Sequence, residues 1–483
     1  MRDQERKLIS FPMAIVTLLI VAGIMAVGLA VVKLNTMVTF LLALVAVCII
    51  AVFTGMKLQD LQDIILSGVK KSSLTVMILI SVGMVVGSWI ISGIVPSIIY
   101  FGLKIFTPAS FLLVGFLVCC IISFFTGSSY AALGTLGVSF MAIGYGMDIN
   151  PGLVAGMAVS GAVFGDKMSP FSDTTNMASG AAGTDIFLHI KSMFYTVIPS
   201  FIVTAVLYFF LGLQYTTSSP ESLAGIDSIL EALKANFTIS PILLVVPVLT
   251  ILLVVRKIPA MISLVIGAFG GVLAGLIAQP QFTFKQIITS MASGFSGSFE
   301  VEELAKLLNR GGISSMMSVV VYCILALALG ELMYEMGVLT VLLDRLQEKI
   351  LKPSNLIIAT LLSSMGTVML TTSQYMAILL PGEVYKVPFQ KAKIAPYVLS
   401  RTLEDAGTVF AFLVPWSAAA IYSAGTLGIP TIEYLPYAFL PLLVPVFAVI
   451  CAITGIGVFD INDRSLRGKT SKVIEIPEEV ESV

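Results

Sequence analysis

The chain has 483 residues, of which 57 % are hydrophobic and only 11 % charged, with a formal net charge of −1. A mean hydropathy of +1.02 and a pI near 6.0 exclude an ordinary soluble domain, which carries about 25 % charged residues. They also argue against a nucleic-acid partner, which needs a basic face.

The first apolar run, 11–32, follows Arg2, Arg6 and Lys7. It is too long for a signal-peptide core and reads as the first membrane helix. Further runs of spanning or near-spanning length cover 37–55, 72–99, 108–147, 150–180, 188–213, 240–255, 259–279, 313–343, 354–385, 393–425 and 434–458. The fold class is therefore an all-α polytopic membrane protein, in contact with lipid all round. Residues 57–71 and 283–308 mix charges with Leu and Ile at helical spacing, which predicts helices lying on the membrane surface. The acidic end, 474–483, has the composition of a disordered tail. Cys48, Cys119, Cys120, Cys323 and Cys451 sit in apolar runs without ligand spacing and read as small packing residues.

The chain is internally duplicated. A shift of 245 residues pairs Thr126, Ser128, Tyr130, Ala132 and Gly137 with Thr371, Ser373, Tyr375, Ala377 and Gly382. Without a gap it also pairs Pro151, Pro170, Ser172, Gly180 and Gly183 with Pro396, Pro415, Ser417, Gly425 and Gly428. Gly87 and Gly93 meet Gly330 and Gly337 at nearly the same offset. The organisation expected is repeat 1 at 1–213, an extracytoplasmic linker at 214–239, repeat 2 at 240–459 and a cytoplasmic tail at 460–483.

Each repeat has one long apolar stretch with a polar hinge, Thr126-Gly-Ser-Ser-Tyr130 or Thr371-Thr-Ser-Gln-Tyr375, and one interrupted helix. A stretch that long is either two crossings or a re-entrant hairpin. In both cases each repeat crosses an odd number of times, so the second is inverted. With both termini cytoplasmic, nineteen Lys and Arg fall inside and six outside, leaving only Lys167 and Arg401 in the membrane. That bias fits an inverted pair.

Inverted repeats place their site near mid-depth, where broken helices expose carbonyls and helix ends. The first interruption, Gly165-Asp-Lys-Met-Ser-Pro-Phe-Ser-Asp-Thr-Thr-Asn-Met-Ala-Ser-Gly180, brings charges into a region that reads as membrane interior. Each charge costs at least about 2.5–3.5 kcal/mol there, so a task is expected. The candidate ion ligands are Asp166, Ser169, Ser172, Asp173, Thr174 and Asn176 of repeat 1, with Glu404, Asp405 and Thr408 of repeat 2. Na+ is expected at Asp166, Asp173 and Asp405, because hard cations prefer carboxylate, hydroxyl and carbonyl oxygens. The hinge residues Thr126, Ser128, Ser129, Thr371, Thr372, Ser373 and Gln374, with Lys167 and Arg401, complete the inventory as substrate contacts. Desolvation favours the protonated form of a buried carboxylate, so Na+ and H+ can compete for one group, and that competition alone yields exchange.

Plainer roles compete with these. Asp166 with Lys167, and Arg401 with Glu404, could be structural ion pairs. Glu331 and Glu335 could line a path or simply join helices. His189, beside Lys191, reads as a solvated interfacial residue rather than a proton sensor. Enzyme motifs are missing: Gly468-Lys469 lacks a phosphate-loop glycine, Asp463 standing in its place, and one histidine makes no zinc-hydrolase pair. No resident cofactor is expected, only Na+ and H+ as cargo, driven by a gradient.

Gly165-Asp-Lys-Met-Ser-Pro-Phe-Ser-Asp-Thr-Thr-Asn176 resembles the signature of NhaC-type sodium/proton antiporters, as does Arg401-Thr-Leu-Glu-Asp-Ala-Gly-Thr408 with Pro415-Trp416. Gly87-Ser-Trp89, Gly93 and Arg310-Gly-Gly-Ile-Ser-Ser-Met316 are similar too, so the resemblance covers nearly the whole chain. It implies an antiporter of a prokaryotic plasma membrane, in the wider ion transporter superfamily of inverted repeats, polar-tipped hairpins and elevator-like motions. The family also contains exchangers of malate and lactate coupled to Na+ and H+, and members linked to amino acids. Gln374 and Arg401 slightly favour such an organic substrate. A channel or cation sensor is a third reading, and a homodimer is one assembly the family allows.

Overall fold

The computed structural model describes residues 9–28, 32, 34–215, 220–299, 305, 308–347 and 352–470. The basic N-terminal residues, 216–219 of the linker, much of 300–307, Lys349 and the acidic tail from 471 lie outside them. The described residues are all-helical apart from two isolated β-bridges. Among the described residues six helices are long and apolar enough to cross a bilayer, or up to eight if two bent pairs each form one span. Four of the cysteines are buried, and among the described residues all five are free thiols.

Both long apolar stretches fold back on themselves. In the first hairpin, Pro108–Thr126 and the arm starting at Ser129 and ending at Gly146 meet at a hinge. The Phe111 and Phe140 rings touch, with centroids 5.9 Å apart, and both lie well back along their arms from the hinge. Gly127 holds φ +63° there, a left-handed turn that glycine adopts without steric cost. In the second hairpin, Pro353–Thr371 and Gln374–Lys391 flank Thr372, which holds φ +60° at the position equivalent to Gly127. Ser128 and Ser373 then cap the returning arms through the amides of Ala131 and Met376. The duplication therefore extends to single hydrogen bonds.

The interrupted helices are Pro151–Met168 with Asp173–Ala182, and Pro396–Ala411 with Ala418–Leu427. Each hairpin tip rests on the break of its own repeat. Gly127 abuts the backbone of Phe171 and Ser172, and the Ala418 amide donates to Thr372 O at 2.9 Å. Repeats also interlock, since Asp173–Ala182 packs on the second hairpin and Ala418–Leu427 on the first.

Leu58–Ile91 and Gly312–Glu335 are equivalent in the duplication, and they run antiparallel: Gly68 lies on Ala328, and Gly83 on Gly312 and Ile313. Equivalent helices packed antiparallel are what an inverted pair requires. One sequence expectation fails here. Residues 58–71 are no separate surface helix but the first turns of Leu58–Ile91, a rod of 34 residues, because Gly68 and Lys71 find partners on the facing helix. Residues 284–293 do form an amphipathic helix, with Ile287 and Ser290 buried against the bundle and Phe284, Lys285, Gln286, Ile288 and Thr289 exposed. Glu331 joins helices, taking Lys71 Nζ at 2.6 Å and the Ser67 hydroxyl at 3.0 Å.

Pro151–Met168 lies along Pro108–Thr126 through small residues, Gly161 on Cys119 and Gly165 on Ser123. A Cβ at Gly165 would collide with the Ser123 backbone. Gly165→Val is expected to abolish correctly folded protein, by overpacking that backbone cannot relieve; a monodisperse, thermally unchanged variant in detergent would contradict this packing.

Candidate functional site

Ser169 ends the first helical half and Pro170 prevents its continuation, so carbonyls of the break need partners. Asn176 supplies them, donating from Nδ2 to Ser172 O at 2.7 Å and Pro170 O at 3.0 Å. Ser169 Oγ accepts the Phe171 amide at 3.2 Å, and the Ser172 and Thr174 hydroxyls bond each other at 2.9 Å. These four residues hold the break in shape.

Asp166, one turn before the break, is 3 % exposed. The Ser129 amide donates to its Oδ1 at 3.0 Å and the Ser129 hydroxyl to its Oδ2. The carboxylate thus faces the N-terminus of the returning hairpin arm, whose free amides and dipole favour negative charge. Among the described residues no Lys, Arg or His makes an ion pair with it. Its backbone carbonyl accepts the Thr175 hydroxyl at 2.6 Å.

Asp166 lines a cavity of ≈ 530 Å³ together with Asp173, Asn176, Thr126, Ser128, Gln374, Tyr130, Tyr375 and Lys257. Asp173 begins the second helical half and is exposed; its Oδ2 accepts the Tyr375 phenol of the other repeat at 2.6 Å. Gln374 Oε1 is buried without a hydrogen-bond partner, and so is the nearby Thr372 hydroxyl. Thr371 donates to Thr367 O at 2.7 Å, and Thr126 and Thr371 each brace their own hinge.

Glu404 and Asp405 do not line this cavity. Adjacent residues on a helix point apart, and they serve two separate contacts. Asp405 Oδ1 takes Lys167 Nζ at 2.7 Å and the Thr196 hydroxyl at 3.0 Å, with Arg401 Nε 3.9 Å from Oδ2. Arg401 Nη1 donates to Gly457 O at 2.8 Å. Glu404 Oε2 lies 3.2 Å from His189 Nε2, while Oε1 lies 3.5 Å from the Thr175 and Thr408 hydroxyls. The ion pairs weighed from sequence are therefore not the ones formed: Lys167 pairs with Asp405 across the repeats, and His189 takes Glu404.

His189 is fully buried and bonds Ser400 Oγ at 2.8 Å, which corrects its reading as an interfacial residue. The signal was present in Ile186–Leu213, where His189, Ser192, Thr196, Ser200 and Thr204 form a polar stripe at helical spacing, all buried. Tyr375 and Lys257 were also overlooked, since both owe their place to long-range packing.

Glu331 apart, which is paired with Lys71, and with His189 counted as neutral, the buried Asp, Glu, Lys and Arg among the described residues are Asp166, Glu404 and Asp405 against Lys167 and Arg401. One proton or one monovalent cation balances them. Among the described residues no three acidic, His or Cys side chains converge as a preformed metal site, so any cation would draw on hydroxyls, amides and carbonyls as well.

The sequence matches the model of the Na+/H+ antiporter family over residues 161–456. It is 37 % identical to the Na+/H+ antiporter NhaC of Alkalihalophilus pseudofirmus over 94 % of this chain and 98 % of that one. It is 31 % identical to the Na+/H+ antiporter NhaC of Bacillus subtilis, covering 93 % and 98 %. Identity to the malate-2H+/Na+-lactate antiporter of Bacillus subtilis is 36 %, over 86 % of this chain and 89 % of that one.

Proposed function

The chain belongs to the Na+/H+ antiporter family, and from that premise we propose that it exchanges Na+ for H+ across a prokaryotic plasma membrane, both termini cytoplasmic. It is a secondary transporter, and the exchange turns on one carboxylate. The observation that carries this reading is Asp166, buried at a cavity wall with hydroxyl and amide donors but no cationic partner. A buried charge left unbalanced costs several kcal/mol, so Asp166 holds either a proton or a cation. Na+ bound from the cavity displaces the proton, and a proton displaces Na+. Neither leaves the carboxylate bare for long, and that rule couples the two fluxes. Asp173, Thr126, Ser128 and Gln374 supply further oxygens. Asp405 is committed to Lys167 and Thr196 and joins the repeats.

A second reading, coupled exchange of a small carboxylate, draws support from the cavity's volume, which exceeds what one ion needs. Proteoliposomes with an imposed pH gradient separate the two. Added Na+ is expected to collapse the gradient with no carboxylate present; a strict requirement for malate or lactate would replace the first reading with the second. Ohmic current without exchange would remove both.

A further inference from the structure

We propose that Lys257 is a tethered counter-charge that sets the affinity of the cavity for Na+, an inference that rests on the cavity being the cation site. Three observations meet at this residue. First, among the described residues Lys257 is the sole cationic side chain lining the cavity, and Asp166 and Asp173 are the only carboxylates that line it. The lining therefore carries one net negative charge rather than two, and a single monovalent cation balances it.

Second, Lys257 holds φ +64° immediately after the helix Val245–Val255 and Arg256. Its amide donates to Val254 O at 2.9 Å and the Ile258 amide to Leu253 O at 3.1 Å, so it occupies the left-handed position that closes a helix, where glycine is the usual residue. A lysine there pays a steric cost that glycine avoids, and this turn is what delivers its side chain to the cavity wall.

Third, its ammonium lies 3.9 Å from the centre of the Phe171 ring, on the break between the two halves of the first interrupted helix. A ring face attracts a cation, so Phe171 holds the ammonium, and among the described residues Lys257 makes no ion pair with Asp166 or Asp173. From there it opposes an entering cation through space without occupying the site. Lys257 thus acts on Na+ as a positioned charge, not as a ligand, and its removal strengthens binding where loss of a ligand weakens it.

Lys257→Gln is expected to lower the KM for Na+ about threefold to tenfold, the effect of one unit charge across a partly solvated gap, while Lys257→Arg stays within about twofold of wild type because it keeps the charge. Phe171→Leu frees the ammonium to approach the carboxylates and is expected to raise the KM, an effect that vanishes when Lys257 is already Gln. The readout is Na+-dependent proton release in proteoliposomes, with 22Na+ binding to purified protein beside it. An unchanged or raised KM in folded Lys257→Gln overturns the proposal. If Asp166→Asn and Asp173→Asn bind Na+ as wild type does, the cavity itself is the wrong site. If those two weaken binding while Lys257→Gln leaves it unchanged, only the counter-charge is wrong.

Discussion

Replacing Asp166 with asparagine is expected to reduce Na+-driven proton movement by at least about a hundredfold and to leave the protein folded. Asparagine keeps the shape: its Oδ1 can still accept from the Ser129 amide, and its Nδ2 can donate to the Ser129 hydroxyl oxygen, which turns from donor to acceptor. What it loses is the ability to bind a proton or to balance a cation. The stability arm carries more information than the flux arm. A carboxylate without a cationic partner is costly in the interior, so the neutral variant is expected to melt no lower than wild type in Na+-free buffer. Wild type gains stability on adding Na+, by about 2.7 kcal/mol at a concentration a hundred times the Kd; the variant gains none. A scan of melting temperature against NaCl, with choline chloride as the control salt, reads both. A Na+-dependent rise retained by Asp166→Asn would move the exchanging group elsewhere.

The hinges, the breaks and the duplication were legible in the sequence because each rests on local chemistry. Thr126-Gly-Ser and Thr371-Thr-Ser repeat the same turn and the same serine cap, and Pro170 and Pro415 interrupt helices by the same missing amide. Residues carrying charge near the breaks were likewise identifiable from cost alone. Pairing was not legible, because it depends on how two distant segments rotate against each other. Neighbours in sequence looked like partners, yet Asp166 turns to a hairpin tip 37 residues earlier and Lys167 to Asp405, 238 residues later. His189 was misplaced for a related reason: its neighbour Lys191 suggested an interface, whereas the face it shares with Thr196 points to Glu404 and Asp405. The carboxylates of the two repeats are also not related by the duplication, since the shift of 245 places Ala411 opposite Asp166 and Ser160 opposite Asp405. The scaffold is twofold; its chemistry is not.

Breaking the pair between Lys167 and Asp405 is expected to be the most destabilising polar change in the molecule. Both side chains are fully buried at 2.7 Å, and they belong to the interrupted helices of different repeats. Removing one partner leaves the other charged in a medium that cannot solvate it, at a cost of about 3–5 kcal/mol. Lys167→Met leaves Asp405 with Arg401 Nε at 3.9 Å and the Thr196 hydroxyl, so part of the loss is recovered there. Asp405→Asn strands Lys167, whose ammonium has no other hydrogen bond among the described residues, and is expected to be the worse of the two. The combined variant Lys167→Met with Asp405→Asn removes both charges and is expected to melt above Asp405→Asn, because a neutral buried contact avoids the stranded ammonium. Thermal melts of the detergent-solubilised protein give the coupling directly. Additive losses, with the combined variant the least stable of the three, would mean that the two side chains act independently and that the repeats are held together by packing alone.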